Sequence, residues 1–399
     1  MNNRPIIVIG AGICGLTLTL ALLRQKINVL LFDKEKEIEQ RGAGINISPN
    51  GTSILYNLGL KEEINKLACK PNNIELKNFN NGFLIANQNL NNSCEKKFNY
   101  PFFQAQRKDV ITSLTHEINN LSPDTIFFDH EFENYKENNN YVRVEFSNQK
   151  TVDGSIIVGC DGINSKVRKK LNPDSKNEFS KIIAWRGLVK IDGLSEKIKK
   201  LPPTIWVGKN KHFVHYPVNR NKLLNFIGTV KKNECTDDSW YQTGNKNDLI
   251  SDFGLKNKVI KEIIESTENP NKWGLFNIKN VKNWISNRAI IIGDAAHSMS
   301  PSYGQGSNSA MEDAIILSRL IAKNINHKNI FLKYEKNRKK RIYSLSKASH
   351  RNLKFFHTSN NFFKFFMHLG LYILSKIIPI ILIQSKWIYK YDAFKMKIK

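Results

Sequence analysis

A glycine-rich turn near the start of the chain limits the fold more than any other feature. The apolar run Pro5–Ile9 predicts a buried strand, and the sequence GAGICG, residues 10–15, follows it directly. A helix and a second strand over 28–32 are predicted next, and an acidic residue, Asp33, comes 18 positions after Gly15. A strand, GxGxxG, helix, strand and acid in this order are typical of a dinucleotide-binding βαβ unit.

Each part of this unit has a physical role in holding a pyrophosphate. Gly10 permits the tight turn, Gly12 lets a phosphate approach the backbone, and Gly15 lets the helix pack closely on the strand. The N-terminus of the helix presents free N–H groups and a positive dipole end to the phosphates. Asp33 accepts hydrogen bonds from the hydroxyl groups of an adenosine ribose. We therefore expect cofactor contacts at Gly10, Ala11, Gly12, Gly15, Asp33 and Lys34.

Two further strand–turn–helix units decide which dinucleotide is bound. Ser155–Cys160 predicts a strand that ends at Asp161-Gly162, and Ala289–Ile292 predicts a strand that ends at Gly293-Asp294. A carboxylate just beyond a strand end suits a flexible polyol such as ribityl. A helix that starts near Gly306–Asn308 directs its dipole at the N1/O2 edge of an isoalloxazine. Both features favour FAD.

In order and spacing, these motifs resemble those of the class A flavoprotein monooxygenases, the 4-hydroxybenzoate, salicylate and 6-hydroxynicotinate hydroxylases among them. The resemblance runs from about residue 5 to 320 and includes GAGI at 42–45, Pro49-Asn50, and Arg107 in the sequence QRKD. It implies an α/β fold, with a FAD-binding GxGxxG domain of the glutathione-reductase-type Rossmann class, an inserted β-sheet substrate domain and C-terminal helices. Gln106 departs from the family, which often has His there.

The resemblance also implies roles for individual residues. Asp33 binds the FAD adenosine ribose, Arg107 lies along the FAD chain, and Asp294 binds ribityl. Asp161 belongs to a segment that these enzymes use for both FAD and NAD(P)H. The residues that border the flavin are Pro301, Gly304, Gly306 and Asn308. Simpler interpretations stay open: a surface ion pair for Arg107, a helix cap for Asp161, and a packed side chain for His297.

The implied reaction is the hydroxylation of a small phenolic or N-heteroaromatic ring. NAD(P)H reduces FAD, dioxygen adds at flavin C4a, and the C4a-hydroperoxide transfers OH to the ring. Because the chain has a single GxGxxG, NAD(P)H binds transiently, without a Rossmann domain of its own. The chemistry requires a dry pocket over the flavin and a base near the phenolic OH.

Candidates for that base lie between the second and third motifs. The segment 179–284 has short alternating runs that predict an all-β insert, with strands over His212–Val218 and Leu223–Val230. His212 and Tyr216 share one face of the first strand. The run resembles the HxxHYP stretch of 6-hydroxynicotinate and salicylate hydroxylases, which assigns His212 and Tyr216 as catalytic. A half-buried structural strand is the alternative. Trp185-Arg186 either line the pocket or edge the sheet.

The motifs suggest a discontinuous domain arrangement. We predict a FAD-binding domain over 1–72, 101–178 and 285–345, a substrate domain over 73–100 and 179–284, and a C-terminal helical tail over 346–399. Asparagine-rich stretches at 72–81, 91–99 and 137–141 predict loops.

The amino-acid composition limits which partners and which cellular compartment we expect. Sixty-one Lys and Arg against 35 Asp and Glu give a formal charge of +26, which suits an anionic partner or reflects AT-rich codons. We favour the codon explanation and expect no nucleic-acid partner, because no nucleic-acid motif accompanies the charge. The five cysteines are scattered without metal-ligand spacing, so we expect no metal. With no signal-peptide pattern before Pro5, a cytoplasmic enzyme is expected.

The tail leaves a second hypothesis open. Phe362–Trp387 is almost continuously apolar, but Lys376 and Pro379 argue against a simple membrane span. The resemblance implies helices that pack on the FAD domain, and an interfacial helix with peripheral membrane contact is the rival. The alternative function is a membrane-surface FAD monooxygenase or epoxidase of a polyprenyl or other hydrophobic substrate. A non-catalytic flavin- or nucleic-acid-binding protein is a third hypothesis.

Overall fold

The computed structural model describes residues 4–38, 43–90, 93–234, 242–323, 327–377 and 385–398. Gly42 of the GAGI motif and Pro379 of the tail lie outside these ranges. The strands are β1 Ile6–Ile9, β2 Val29–Phe32, β3 Gly44–Ile47, β4 Asn73–Asn78, β5 Leu84–Asn89, β6 Phe103–Gln106, β7 Ile126–Phe127, β8 Phe132–Glu137, β9 Val142–Phe146, β10 Thr151–Gly154, β11 Ile156–Gly159, β12 Lys176–Lys190, β13 Thr204–Gly208, β14 Lys211–Val218, β15 Leu223–Lys231, β16 Gln242–Thr243, β17 Asn271–Lys279 and β18 Ala289–Ile291.

Helices alternate with these strands in the first part of the chain and dominate its end. They are α1 Ile13–Arg24, α2 Pro49–Asn57, α3 Lys61–Leu67, α4 Ser93–Phe98, α5 Arg107–Leu121, α6 Lys166–Leu171, α7 Glu196–Lys199, α8 Lys246–Phe253, α9 Lys258–Glu265, α10 Asp294–His297, α11 Gly306–Ile321, α12 His327–Phe356, α13 Asn361–Ile377 and the short helix Lys386–Tyr389.

A five-stranded parallel sheet carries the three sequence motifs. Its strand order is β18-β11-β1-β2-β7, so the strands that end in the glycine turn, Asp161-Gly162 and Gly293-Asp294 are direct neighbours. Strands β1 and β11 are buried along their whole length. Continuous apolar runs are expected where a parallel sheet is covered on both faces. The carboxyl ends of these strands therefore bring the three motifs to one edge.

An eight-stranded mixed sheet forms the second unit, in the order β16-β17-β12-β15-β14-β13-β4-β5. One face is covered by α8 and α9, whose side chains join Trp185, Phe213 and Phe226 in an apolar cluster. The opposite face contacts β3, which pairs with β6 in a separate two-stranded sheet, because the Gly44 N–H of β3 donates to the Asn225 side chain of β15. The predicted α/β architecture with an inserted β-sheet domain is confirmed.

Three local expectations about this region are wrong. The insert is not all-β, since α8 and α9 bury Leu249, Phe253 and Ile260 against the sheet. Two asparagine-rich stretches are not loops: 73–78 forms β4 and 93–98 forms α4. Asparagine is tolerated in β4 because the Asn73 amide donates to the Asn87 side chain across the strand pair at 2.9 Å.

The C-terminal part packs on both units. Helix α12 runs unbroken from His327, well before the predicted tail, and packs on α11. Helix α13 packs on β5 of the mixed sheet instead of on the FAD domain, whereas Ile388 and Ala393 reach the core of the parallel sheet. Among the described helices, none combines the length and the apolar character that a membrane crossing requires.

Candidate functional site

The glycine turn is so tightly packed that side chains are excluded from it. A Cβ on Gly10, where φ is +104°, would lie 2.7 Å from the carbonyl oxygen of Cys160, and one on Gly15 would lie 2.0 Å from that of Gly10. Contacts this short do not occur in real structures. Gly12 is different, because a Cβ there would meet only Nη2 of Arg107, at 3.6 Å. The turn thus has no room for a side chain at Gly10 or Gly15 but is open at Gly12, where a phosphate would approach.

Asp33 and Arg107 lie at the same edge as this opening. The Asp33 carboxylate accepts hydrogen bonds from the N–H groups of Ala11, at 2.5 Å, and Glu35, at 2.9 Å. Lys34 beside it is exposed and lies 4.0 Å from the Glu35 carboxylate. Arg107 begins α5, and its half-buried side chain lies beside Gly12. The acid, the cation and the helix end face one groove.

The two aspartates after β11 and β18 have different surroundings. Asp161 accepts hydrogen bonds from the Ser165 hydroxyl, at 2.5 Å, and from the Val167 N–H, at 3.1 Å, so it caps α6. Asp294 opens α10 after Gly293. Burial raises the pKa of Asp294, and the charges of His297 and Arg107 lower it. The capping alternative describes Asp161, and its FAD role stays a prediction.

The loop before α11 forms the other end of the groove. Pro301 opens a single turn, and Gly304 follows it in the left-handed conformation at φ +61°. A Cβ on Gly306 would meet nothing within 4 Å. Because α11 begins at Gly306, its first N–H groups have no acceptor within the helix. They therefore face open space with the positive end of the helix dipole.

Asn308 fastens this loop in place. Its side-chain oxygen accepts from the N–H of Ser48 at 3.1 Å, and its amide donates to the carbonyls of Asn46, at 3.0 Å, and Gly304, at 2.8 Å. The side chain is fully buried. Any contact between Asn308 and a cofactor therefore comes from its backbone, and its side chain fixes the loop geometry.

These residues fit an extended dinucleotide. The free space at Gly12 and Gly306 lies at the N-termini of α1 and α11, the two places where phosphates and a flavin edge need N–H groups. Directly before Arg107 in the chain, the Gln106 side-chain oxygen is buried without a hydrogen-bond partner among the described residues. A buried polar atom in that state indicates a missing partner.

A second set of residues forms a half-buried row on the inner face of the mixed sheet, and we interpret this row as the floor of a cavity. Ile205, Val214, Ile227 and Arg186 are aligned in register across four strands, and each is only half-buried. The flanking pairs Tyr216–Asn225 and His212–Thr229 are buried. A half-buried row between buried rows indicates open space above it. Arg186 stacks on the Trp273 ring at 4.4 Å, whereas Trp185 points to the opposite face and donates to Asp252.

His212 and Tyr216 lie on opposite sides of this row. Nδ1 of His212 lies 2.7 Å from Oγ1 of Thr229 and 2.9 Å from Nε2 of His357. Burial lowers the pKa of His212 well below its usual range, and burial lowers the pKa of His357 to about 4. Both rings are therefore neutral at physiological pH. Phe356 packs on the His212 ring, with centroids 5.0 Å apart.

Tyr216 lies beside Gly44 of strand β3. A Cβ on Gly44 would lie 2.9 Å from the Tyr216 hydroxyl, and the Gly44 N–H donates to Asn225 at 2.7 Å. Burial raises the pKa of Tyr216, and the charge of Arg186 offsets part of that rise. The phenol is thus protonated and close to both Arg186 and strand β3.

Three polar residues of this cavity were not predicted: Asn225, Thr229 and His357. Asn225 and Thr229 carry a usable signal, because both lie on one face of the predicted strand Leu223–Val230. His357 has none, since 145 positions separate it from His212. His297, by contrast, is the packed residue that the alternative described: its Nε2 lies 2.5 Å from Asp313, next to the Trp284 ring.

Comparison with known proteins defines the class. A family described as FAD binding domain matches residues 3–349. The chain is 30% identical over 358 residues to 3-amino-4-hydroxybenzoate 2-monooxygenase of Streptomyces platensis, covering 89% of each protein. It is 25% identical over 360 residues to 6-hydroxynicotinate 3-monooxygenase of Pseudomonas fluorescens, covering 88% of this chain and 92% of that protein.

Solved structures show the same fold. Klebsiella pneumoniae HpxO complexed with FAD and uric acid matches with a TM-score of 0.80 and 21% identity over 92% of both chains. A salicylate hydroxylase substrate complex matches with a TM-score of 0.78 and 21% identity over 98% of this chain and 96% of the other. This chain belongs to the FAD-binding-domain family and, within it, to the class A FAD-dependent aromatic monooxygenases.

Replacing Asp33 should weaken FAD retention. Asp33→Ala removes the carboxylate that accepts hydrogen bonds from the Ala11 N–H and from the predicted ribose hydroxyls. We therefore expect the Kd for FAD to rise about 10- to 100-fold. Fluorescence titration of the stripped protein with FAD measures this. Glu35→Ala, two positions on and exposed, is the control and should bind normally. Equal affinity for FAD in Asp33→Ala would remove Asp33 from the site.

Proposed function

We propose that this enzyme uses NAD(P)H and O2 to hydroxylate a small phenolic or N-heteroaromatic acid. The observation that carries the proposal is the half-buried row between the Tyr216–Asn225 and His212–Thr229 pairs. It provides an apolar floor for a flat ring, polar groups at both ends, and direct contact with strand β3 of the FAD groove. The relatives named above act on hydroxylated aromatic acids of this size.

The chain's own residues hold the cofactor and the substrate. Bound FAD supplies the redox chemistry, with a hydride from NAD(P)H and the oxygen chemistry predicted from the sequence. With FAD bound, the N-terminus of α11 would stabilise negative charge on the reduced flavin edge. Asp294 and Arg107 would hold the ribityl and phosphate region. Because the sequence has one GxGxxG, NAD(P)H would bind transiently at the groove, without a Rossmann domain of its own.

In the cavity, Arg186 and Tyr216 bind the acid group of the substrate, and His212 faces the phenolic end. Burial keeps His212 in the neutral form, which is the form that accepts a hydrogen bond from a phenolic OH. His357, in contact with Nδ1 of His212, holds that ring with Thr229 and gives the proton a second site. Phe356 covers the pair and excludes water.

Turnover measurements test the substrate class. The purified protein should oxidise NAD(P)H faster when 3-amino-4-hydroxybenzoate, 3-hydroxybenzoate, salicylate or 6-hydroxynicotinate is added, and it should form a hydroxylated product. NADH and NADPH are compared in parallel. A protein that binds FAD but shows no stimulation and no product with any phenolic or heteroaromatic acid would contradict the proposal.

Arg186 gives a more specific prediction. Arg186→Gln removes the cation of the cavity, so we expect the KM for an aromatic acid to rise about 10- to 100-fold with a smaller change in kcat. Steady-state kinetics on the stimulating substrate measures both constants. Lys190→Gln, an exposed change on the same strand, is the control. An unchanged KM in Arg186→Gln would show that the acid group binds elsewhere.

A further inference from the structure

Helix α13 presents an unusual outer surface. Thirteen large apolar side chains are exposed in the described part of the molecule, and six of them lie on this one helix of 17 residues. The six are Phe362, Phe365, Phe366, Leu369, Ile373 and Leu374. Apart from Leu374, which lies at one margin, their spacing of three, four and seven places them along one helix face. We call these six residues the outer face of α13.

The inner side of the same helix is already occupied. His368 is buried, Leu371 joins an apolar cluster with Val207 and Ile85, and the Tyr372 ring lies 5.5 Å from that of Phe83. Helix α13 is therefore fixed on β5 by one side while the other stays apolar and exposed. Contiguous exposed apolar surface of this kind marks an interaction site.

The charge of the surrounding segment indicates what covers this surface. Residues 336–391 contain no Asp or Glu and twelve Lys and Arg. Two of the twelve, Arg338 and Arg341, pair with Glu312 inside the protein. Lys339 pairs with Glu335, just before the segment, at 2.8 Å. The other nine have no acidic residue within the segment. A second copy of this chain would bring the same positive segment against it, whereas an anionic lipid surface offers both opposite charge and an apolar interior.

We propose that the outer face of α13 docks this enzyme on an anionic lipid surface. The helix lies in the plane of the interface with its phenylalanines among the acyl chains, and the neighbouring lysines contact the lipid headgroups. This agrees with the lack of a spanning helix among the described residues, because an interfacial helix does not cross the bilayer.

Vesicle flotation of the FAD-loaded full chain tests the proposal. At about 150 mM salt, the protein should float with phosphatidylcholine vesicles that contain about 30% phosphatidylglycerol and should not float with pure phosphatidylcholine. The double variant Phe365→Glu/Leu369→Glu should lower the bound fraction at least about tenfold. The control Leu121→Glu/Leu332→Glu makes the same change of charge at two residues exposed elsewhere, and it should float like wild type.

The flavin spectrum of each variant verifies folding, and no substrate turnover is involved, so this test is independent of the proposed hydroxylation. Three results would overturn the proposal. One is a wild-type protein that does not bind the anionic vesicles. Another is a double variant that binds as well as wild type. The third is a lipid-free dimer, seen by sedimentation, that only the α13 variant dissociates, because a second copy would then occupy this face.

Discussion

His212→Gln should retain FAD and still oxidise NAD(P)H, but its yield of hydroxylated product should fall. Loss of a general base costs about 10²–10⁴-fold in rate. Gln cannot accept the phenolic proton, so the ring is not activated, and hydrogen peroxide should be released in place of product. The measurement is product and peroxide formed per NAD(P)H consumed, with a stimulating substrate.

His215 provides the matched control for this variant. It lies on the same strand but on the opposite face, beside the Trp206 ring, and it is equally buried. Burial lowers its pKa to about 3. His215→Gln should reduce stability without changing the ratio of product to peroxide. If His212→Gln keeps the wild-type rate and product yield, His212 only supports His357 and Thr229.

The largest effect on stability is expected at Arg338. Its guanidinium lies 2.9 Å from Glu312 and 2.6 Å from Asp313, and all three side chains are fully buried. Arg338→Leu leaves two buried carboxylates without this partner, so the free energy of unfolding at pH 7 should fall by about 3–5 kcal/mol. Urea unfolding measures it. Lys340→Leu, exposed on the same helix, should change it little.

The pH dependence distinguishes this ion pair from simple packing. Burial raises the pKa of Asp313, but His297 and Arg338 lower it by more, so the net shift is downward. The pKa of Glu312 is likewise shifted downward, because Arg341 and Arg338 outweigh the effect of burial. In wild type, the contribution is complete above the unfolded pKa of about 4 and lost as the pH falls below it. The deficit of Arg338→Leu should therefore stay constant between pH 7 and about pH 5 and shrink as the pH falls below about 4. A deficit independent of pH would indicate lost packing alone.

The FAD groove was predictable because its information is local. Gly10 and Gly15 follow β1, and a Cβ at either position would collide with neighbouring backbone atoms. Asp33 follows the next strand, β2. Asp161 and Asp294 come after β11 and β18. Because these strands are parallel to β1, both residues lie at the same edge of the sheet as the glycine turn, and no further sequence signal is needed to place them there. Asp161 shows the limit of this reasoning, since a carboxylate at a strand end caps a helix as readily as it meets a ligand.

The cavity was predictable only in part. The alternation of β14 places His212 and Tyr216 on one face, but His357 reaches His212 from just beyond the end of α12, far along the chain. The helices over the outer face of the sheet were missed for another reason. In α9 the apolar residues repeat with the helical period, at Val259, Ile260, Ile263 and Ile264. This pattern was overlooked because the whole insert was assigned from the strand-like runs on either side of it.

Product analysis under ¹⁸O2 tests the central claim most directly. The FAD-loaded protein is incubated with NAD(P)H and each of the four aromatic acids, and the products are analysed by mass spectrometry. The account predicts a ring-hydroxylated product that carries one oxygen atom from O2. A hydroxyl oxygen derived from water, or peroxide as the sole oxygen product with every acid, would contradict it.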